Sequence, residues 1–265
     1  MTLHTLASGS EGNCLLVASG TTRLLVDAGI SLRRIKTALA QLGLTVDQLS
    51  GILLTHSHSD HVAALQTLVK HHTVPIYASY DTAQSLCKRV AGLAPLLRTV
   101  ERSTVFPVGD CRITVFPTSH DAPGSVDYRI DGNEGSIGVL TDTGYVTQRA
   151  AEALEGVELL VLESNHDPEW LRSGPYPYYL KQRILGEEGH LSNEDAAHFA
   201  AQMARCGTQQ IVLAHLSREN NTPARALETV QRHMAAEDLG HVRITVAPRG
   251  ELSEAYRTEG QLCRK

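Results

Sequence analysis

Residues 55–62 read Thr55-His56-Ser57-His58-Ser59-Asp60-His61-Val62, directly after the apolar run Ile52-Leu53-Leu54. Few features restrict a fold so tightly. Four side chains able to bind metal, His56, His58, Asp60 and His61, fall close together where a strand ends. Alternation along an extended segment sends His56 and His58 to one side. Asp60 and His61 follow at the turn into a helix expected through Val62 to His72. One divalent ion has little room for four ligands from so short a stretch. Two ions a few ångströms apart do have room, one taking His56 and His58, the other Asp60 and His61. Three imidazoles and a carboxylate suit zinc best, and manganese or iron also fit. The competing reading is a polar loop that happens to be rich in histidine, and the regular spacing of all four residues argues against it.

Three further residues share that context, a ligand-type side chain at the end of an apolar strand. His120 follows Ile113-Thr114-Val115-Phe116, Asp142 follows Gly138-Val139-Leu140, and His215 follows Ile211-Val212-Leu213-Ala214. Each alone is more often a satisfied structural residue. Together with the octet they complete a set: His120 gives the first ion a third imidazole, His215 completes the second, and Asp142 bridges both.

The 265 residues are ample for a buried core, and no repeat or linker divides them, so residues 1–265 are expected to form one domain. No run of about eighteen apolar residues indicates a membrane span. The N-terminus has neither a basic nor a long apolar region of the kind that marks a signal peptide. Cys14, Cys87, Cys111, Cys206 and Cys263 are scattered and form no CxxC pair, which points to reduced thiols in the cytoplasm. A formal charge of −5 gives no global attraction to nucleic acid or an anionic membrane, so a phosphate-bearing substrate must be held locally.

Short apolar runs separated by Gly and Ser turns make the first half β-rich: Leu3 to Ala7, Asn13 to Ala18 and Arg23 to Val26, then the strand into the octet. A helix is expected from Leu32 to Leu42, a strand from Thr73 to Ala78 and a helix from Asp81 to Ala91. Strands follow over Arg112 to Phe116, Ser125 to Ile130, Ser136 to Leu140 and Leu159 to Leu162. The helix Asn193 to Arg205, with Ser192 as N-cap, leads to a strand at Gln210 to Ala214. A helix at Pro223 to Ala236 and a strand at Val242 to Val246 complete the order. Pro175-Tyr176-Pro177-Tyr178-Tyr179 reads as an ordered loop. Two β-rich halves with helices outside suggest two sheets packed face to face.

The octet, followed in order by His120, Asp142 and His215, resembles the metallo-β-lactamase superfamily of dinuclear hydrolases, over nearly the whole chain. The resemblance implies an α+β fold, an αβ/βα sandwich of two mixed sheets flanked by helices, with both metals at one edge. It is nearest to the YycJ/WalJ branch, through Ser8-Gly9-Ser10-Glu11-Gly12-Asn13, Leu25-Val26-Asp27-Ala28-Gly29 and Glu163-Ser164-Asn165-His166-Asp167. Gly174-Pro175-Tyr176-Pro177, Gly189-His190-Leu191-Ser192-Asn193 and His215-Leu216-Ser217-Arg218-Glu219-Asn220 carry it further. That branch is associated with exonuclease action on duplex DNA. Ser57 is a departure, standing where a Glu is expected.

The remaining marks each have two readings. Asp27 orients a ligand imidazole or is a turn carboxylate. His190 resembles the histidine that faces the leaving group in tRNase Z relatives, with Glu163 beside it, or it caps a helix. Arg172, Lys181 and Arg183 flank the tyrosines as a phosphate clamp with base-stacking rings, or form a solvated face. Arg218 is a further candidate for substrate contact. Ser8, Gly9, Ser10 and Asn13 lie near the metals or make a plain turn. His4, His71, His72, His198, His233 and His241 are given no role.

The resemblance implies a phosphodiesterase, foremost a DNA exonuclease, in which a metal-bridging hydroxide attacks, Asp60 orients it and His190 protonates the departing oxygen. The alternative keeps the ions and takes a small cyclic phosphodiester, thioester or lactone; a third reading is a non-enzymatic metal-dependent binder. The expected partner is nucleic acid, with a homodimer left open.

Overall fold

A computed structural model describes residues 1–259. Two seven-stranded sheets lie face to face. The first is built from β1 (Thr2–Ala7), β2 (Cys14–Ser19), β3 (Thr22–Val26), β4 (Gly51–Leu53), β5 (Ile76–Ser79) and β6 (Leu97–Val100). The second contains β7 (Val105–Val108), β8 (Cys111–Pro117), β9 (Val126–Gly132), β10 (Gly135–Leu140), β11 (Leu159–Glu163), β12 (Gln210–Ala214) and β13 (Arg243–Val246). A short last strand, β14 (Tyr256–Arg257), returns to pair with β1 in the first sheet, a pairing that no sequence pattern signals. Each sheet is antiparallel on one side and parallel on the other, with β3 to β6 and β10 to β13 running parallel.

Burial on both faces explains the unbroken apolar runs of the parallel strands. Leu24 and Val26 of β3 face Ile113, Tyr128 and Val161 between the sheets, while Leu25 turns outward. The same alternation sends Leu159 and Val161 inward and Leu160 and Leu162 outward. The outer face of the first sheet is covered by α1 (Leu32–Gln41), α2 (Ser59–Val62), α3 (Leu65–Leu68) and α4 (Tyr80–Cys87). The outer face of the second is covered by α5 (Gln148–Leu154), α8 (Asn193–Arg205) and α9 (Pro223–Ala236), after two short helices, α6 (Pro168–Ser173) and α7 (Tyr178–Leu185). The order is helices, sheet, sheet, helices. Tyr128 ties the layers together: fully buried, it donates its hydroxyl to the carbonyl of Leu54 at 2.6 Å, across from β9 to the end of β4.

Several local expectations are corrected. The helix expected from Val62 to His72 is two short pieces, because the β3–α1 loop takes the polar groups at the break. The Ala64 N–H donates to the Ala28 carbonyl at 2.9 Å, and the His61 carbonyl accepts from the Ala28 N–H at 2.8 Å. The strand expected at Thr73 to Ala78 starts at Ile76, and the helix after it ends at Cys87. The Tyr-rich loop is helical in its last part, because Pro177, at φ −58° and ψ 149°, precedes the first turn rather than sitting inside α7. β6, with only Val100 buried, offers too little alternation to be seen in sequence. Among the described residues no helix is long and apolar enough to cross a membrane. Cys14, Cys87, Cys111 and Cys206 are free thiols, and Cys263 lies outside the described residues.

Candidate metal centre

Parallel strands present their C-terminal ends together, and loops there can converge on one point. Asp27 follows β3, the octet follows β4, Asp142 follows β10, Glu163 ends β11 and His215 follows β12. His120 arrives from the end of β8. The structure brings all seven expected ligand residues together. Overlapping sets of donor atoms lie within 4.8 Å of one another: His56, His58 and His120; His56, His61 and Asp142; Asp60, His61 and His215. A fourth set joins Asp142, Glu163, His190 and His215.

The imidazoles are aimed by their second nitrogens. Nδ1 of His61 donates to Oδ2 of Asp27 at 2.7 Å, leaving Nε2 to face the centre. Asp27 is itself held by the Thr55 N–H at 2.9 Å and the Thr55 hydroxyl at 2.9 Å. Nδ1 of His215 donates to Oε1 of Glu163 at 2.9 Å, and Nδ1 of His120 to the Gly189 carbonyl at 3.2 Å. His58 is turned the other way, with Nδ1 only 3.3 Å from Nε2 of His120 and Nε2 3.6 Å from Asp121. Asp142 reaches between the groups, with Oδ2 3.1 Å from Nε2 of His61 and Oδ1 3.6 Å from Nε2 of His215.

Two observations test whether divalent ions fit. Nε2 of His56, Nε2 of His215 and Oδ2 of Asp142 are buried without a hydrogen-bond partner among the described residues. Buried polar atoms avoid that state unless something else binds them. The donor set also suits the ions, being imidazole nitrogen and carboxylate oxygen with no thiol. His56, His58 and His120 could hold one ion, and Asp60, His61 and His215 a second, with Asp142 shared.

The electrostatics agree with a site built for positive charge. Burial would depress His61, but Asp142 and Asp27 reverse this and carry its pKa well above the usual imidazole range. Burial is likewise outweighed at His215, which Asp142, Asp60 and Glu163 push up to about 10. Against the same burial, His215 and His61 hold Asp60 far below the usual carboxylate range, and His190 and His215 bring Glu163 to about 2. His56 and His58 move down, chiefly through burial, with neighbouring imidazoles adding to it.

The octet is clamped by backbone as well. The Asp60 carbonyl accepts from the Asn13 N–H at 2.8 Å and lies where a side chain on Gly29 would meet it, 1.6 Å from an ideal Cβ. Gly29 therefore has to be glycine. The Ser8–Asn13 turn, which the sequence allowed as a plain turn, touches the centre. Asn13 Nδ2 is 3.1 Å from Nε2 of His61, and the Ser8 hydroxyl accepts from the His215 N–H at 2.9 Å. Thr55 and Asp121 touch the centre and were given no role from sequence, although each adjoins a histidine that was. Ser57 is buried and its carbonyl accepts from Arg89 at 2.7 Å.

His190 stands beside the centre. Its Nδ1 donates to Oε1 of Glu163 at 2.8 Å, the oxygen that also accepts from His215. With His120, Asp121, Asn165 and Tyr176 it lines a cavity of about 160 Å³. Arg183 lines it too, its Nε 2.5 Å from Oδ2 of Asp121. Lys181 does not line it and donates to the Arg172 carbonyl at 2.7 Å, while exposed Arg172 pairs with Glu169. Arg218 is exposed and pairs with Glu11 at 2.7 Å.

Comparison with known proteins fits this geometry. The beta-lactamase superfamily domain matches residues 22–216. The chain is 38% identical to exodeoxyribonuclease YycJ of Bacillus anthracis, over 91% of this chain and 92% of that one. It is 39% identical to exodeoxyribonuclease WalJ of Streptococcus pneumoniae serotype 2, over 89% and 88%. In fold it is similar to the metallo-beta-lactamase fold protein YhfI of Bacillus subtilis, with a TM-score of 0.70 at 18% identity, covering 95% of this chain and 98% of that one. The chain belongs to the beta-lactamase superfamily and is a metal-dependent hydrolase.

Proposed function

We propose that the protein is a dinuclear-metal exonuclease acting on DNA. The observation that supports this most directly is the joining of two three-donor sets through Asp142, beside a histidine and carboxylate pair that lines a cavity. The similarity to two exodeoxyribonucleases over about nine-tenths of the chain supplies the substrate class. In this reading His56, His58 and His120 would hold one ion and Asp60, His61 and His215 the other, with Asp142 available to both. Zinc suits these donors best. When bound, the ions would lower the pKa of a water and offset charge building on the phosphoryl oxygens.

The chain's own residues do the rest. Asp60, partly exposed beside His61 and His215, orients the attacking water and accepts its proton as the new P–O bond forms. The P–O bond to the departing nucleotide oxygen breaks, and that oxygen takes a proton from His190. Glu163 holds the His190 ring in place through its Nδ1. Asp27 and Glu163 fix His61 and His215 so that Nε2 of each faces inward. Arg183, at the cavity wall, offers a guanidinium to phosphate if it releases Asp121.

The test is a panel of substrates with metal-loaded protein: end-labelled duplex and single-stranded DNA, bis-p-nitrophenyl phosphate and a glutathione thioester. Stepwise shortening of DNA is expected, abolished in Asp60→Ala and His120→Ala with the fold retained by circular dichroism. Turnover of the thioester alone would reject the nuclease reading.

A further inference from the structure

We propose that Tyr176, Tyr178 and Tyr179 form a stacking platform for unpaired nucleobases next to the scissile phosphodiester. This deepens the exonuclease reading and rests on it for the identity of the substrate.

The segment from Trp170 to Ile184 is unusual in this chain. Four of the twelve Phe, Trp and Tyr residues fall between positions 170 and 179. Two of them, Tyr178 and Tyr179, are 77% and 74% exposed, the highest values for any large hydrophobic side chain described. The helix that carries them, α7, has no buried residue at all. A helix normally gains its stability by burying one face. This one instead stands at the mouth of the catalytic cavity, giving Leu180, Arg183 and Ile184 to its wall. Tyr176 lines the same cavity as His120 and His190. The arm is nonetheless fixed in place, with Arg183 on Asp121 and the Ile184 carbonyl accepting from the His190 N–H at 3.1 Å.

Exposed aromatic rings on a rigid arm that borders a reaction site call for a partner. Nucleobases fit best. Lys181 and Arg183 set cations within a few residues of the rings, so phosphate and base can be met together. The −5 charge of the chain means that backbone electrostatics contribute little affinity. Ring stacking is insensitive to that charge and accepts any base, as an exonuclease requires. The platform also implies a preference: single-stranded or frayed ends offer their faces, whereas a blunt duplex keeps them stacked.

The experiment uses the full metal-loaded chain with Tyr178→Ala/Tyr179→Ala, two residues that do not line the cavity. Phosphorothioate oligonucleotides carrying a terminal 2-aminopurine report stacking by fluorescence quenching, independently of hydrolysis. The double variant is expected to lose the quenching and to raise KM for unprotected single strands by ~10- to 100-fold. Its kcat and its turnover of bis-p-nitrophenyl phosphate should be unchanged, and Tyr178→Phe/Tyr179→Phe should restore KM. Wild-type quenching and KM in the alanine variant overturn the proposal. So does a dimer, seen by sedimentation in the wild type, that dissociates in the variant with KM unaltered, since the rings would then join two copies. Quenching by a wild type that cuts no DNA would instead remove the exonuclease reading and leave the platform standing.

Discussion

Glu163 is the residue on which the two roles proposed for the centre, holding metal and moving a proton, meet. It is fully buried, and its carboxylate accepts four hydrogen bonds. Oε1 takes Nδ1–H of His215 at 2.9 Å and of His190 at 2.8 Å; Oε2 takes the Thr143 N–H at 3.0 Å and the Leu191 N–H at 3.3 Å. Glu163→Gln keeps the shape and replaces one oxygen with a donor. If the amide oxygen stays on the imidazoles, its NH2 faces two backbone N–H groups and both bonds are lost. Hydrogen bonds to a charged acceptor contribute about 1.5–3 kcal/mol each, and one of these two is long, so the loss is about 3 kcal/mol. For a chain of this size that lowers Tm by roughly 6–12 °C.

The metal sites should respond unequally. His215 then leans on a neutral amide and becomes a poorer ligand, which weakens binding of its ion by ~10- to 100-fold, or about 1.4–2.7 kcal/mol. The set of His56, His58 and His120 makes no contact with Glu163 and should keep its affinity. Competition with a chromogenic chelator resolves the two ions, and differential scanning calorimetry gives Tm. The reasoning fails if both ions bind Glu163→Gln as tightly as wild type, or if the two affinities fall equally.

Proton release offers a second check. In the folded chain the pKa of His61 lies well above its ordinary value and that of His215 is about 10, so near pH 7 both carry protons that an incoming ion must displace. Apparent affinity should therefore rise with pH and level off only above pH about 10; calorimetry in buffers of different ionisation enthalpy should find protons released, and none between pH 6 and 8 would contradict it. Gly29→Ala places a Cβ 1.6 Å from the Asp60 carbonyl and should cost more than ~3 kcal/mol in urea titration along with the second ion, whereas Gly43→Ala, with nothing within 4 Å, should lose only ~1 kcal/mol to its positive φ.

Much of this centre was legible because strand ends are legible. An apolar run marks a strand, and the first ligand-type residue past it lies near the sheet's edge, so His120, Asp142 and His215 could be found one at a time. Which of them meet depends on the order of strands in each sheet, and no local pattern carries that. The family resemblance filled the gap. Asp121 stayed hidden because its partner Arg183 comes from α7, a helix without a buried face, which the Pro175–Tyr179 stretch also disguised. Lys181 and Arg183 looked equivalent in sequence. Their positions on α7 send Arg183 to Asp121 and the cavity, and Lys181 to the Arg172 carbonyl.

Asp27, Asp142 and His215 have φ of 61°, 50° and 54°. A left-handed backbone costs a residue other than glycine about 1–2 kcal/mol, and here it recurs at three residues within two positions of the end of a parallel strand. The reason lies in where the side chains must go. A strand continued straight would send its next side chains alternately into the layers above and below. A left-handed residue reverses the chain within one position and turns its own side chain over the strand end, towards the gap between the sheets. The backbone is held there by its own bonds, the Asp27 N–H to the Leu53 carbonyl at 2.8 Å and the His215 N–H to Ser8. Glycine would relieve the backbone but bring no donor. The first sheet contributes one such turn and the second two, and only with all three made can Asp142 and His215 reach His61 from across the sandwich. Backbone strain at these residues is thus part of how the site is assembled.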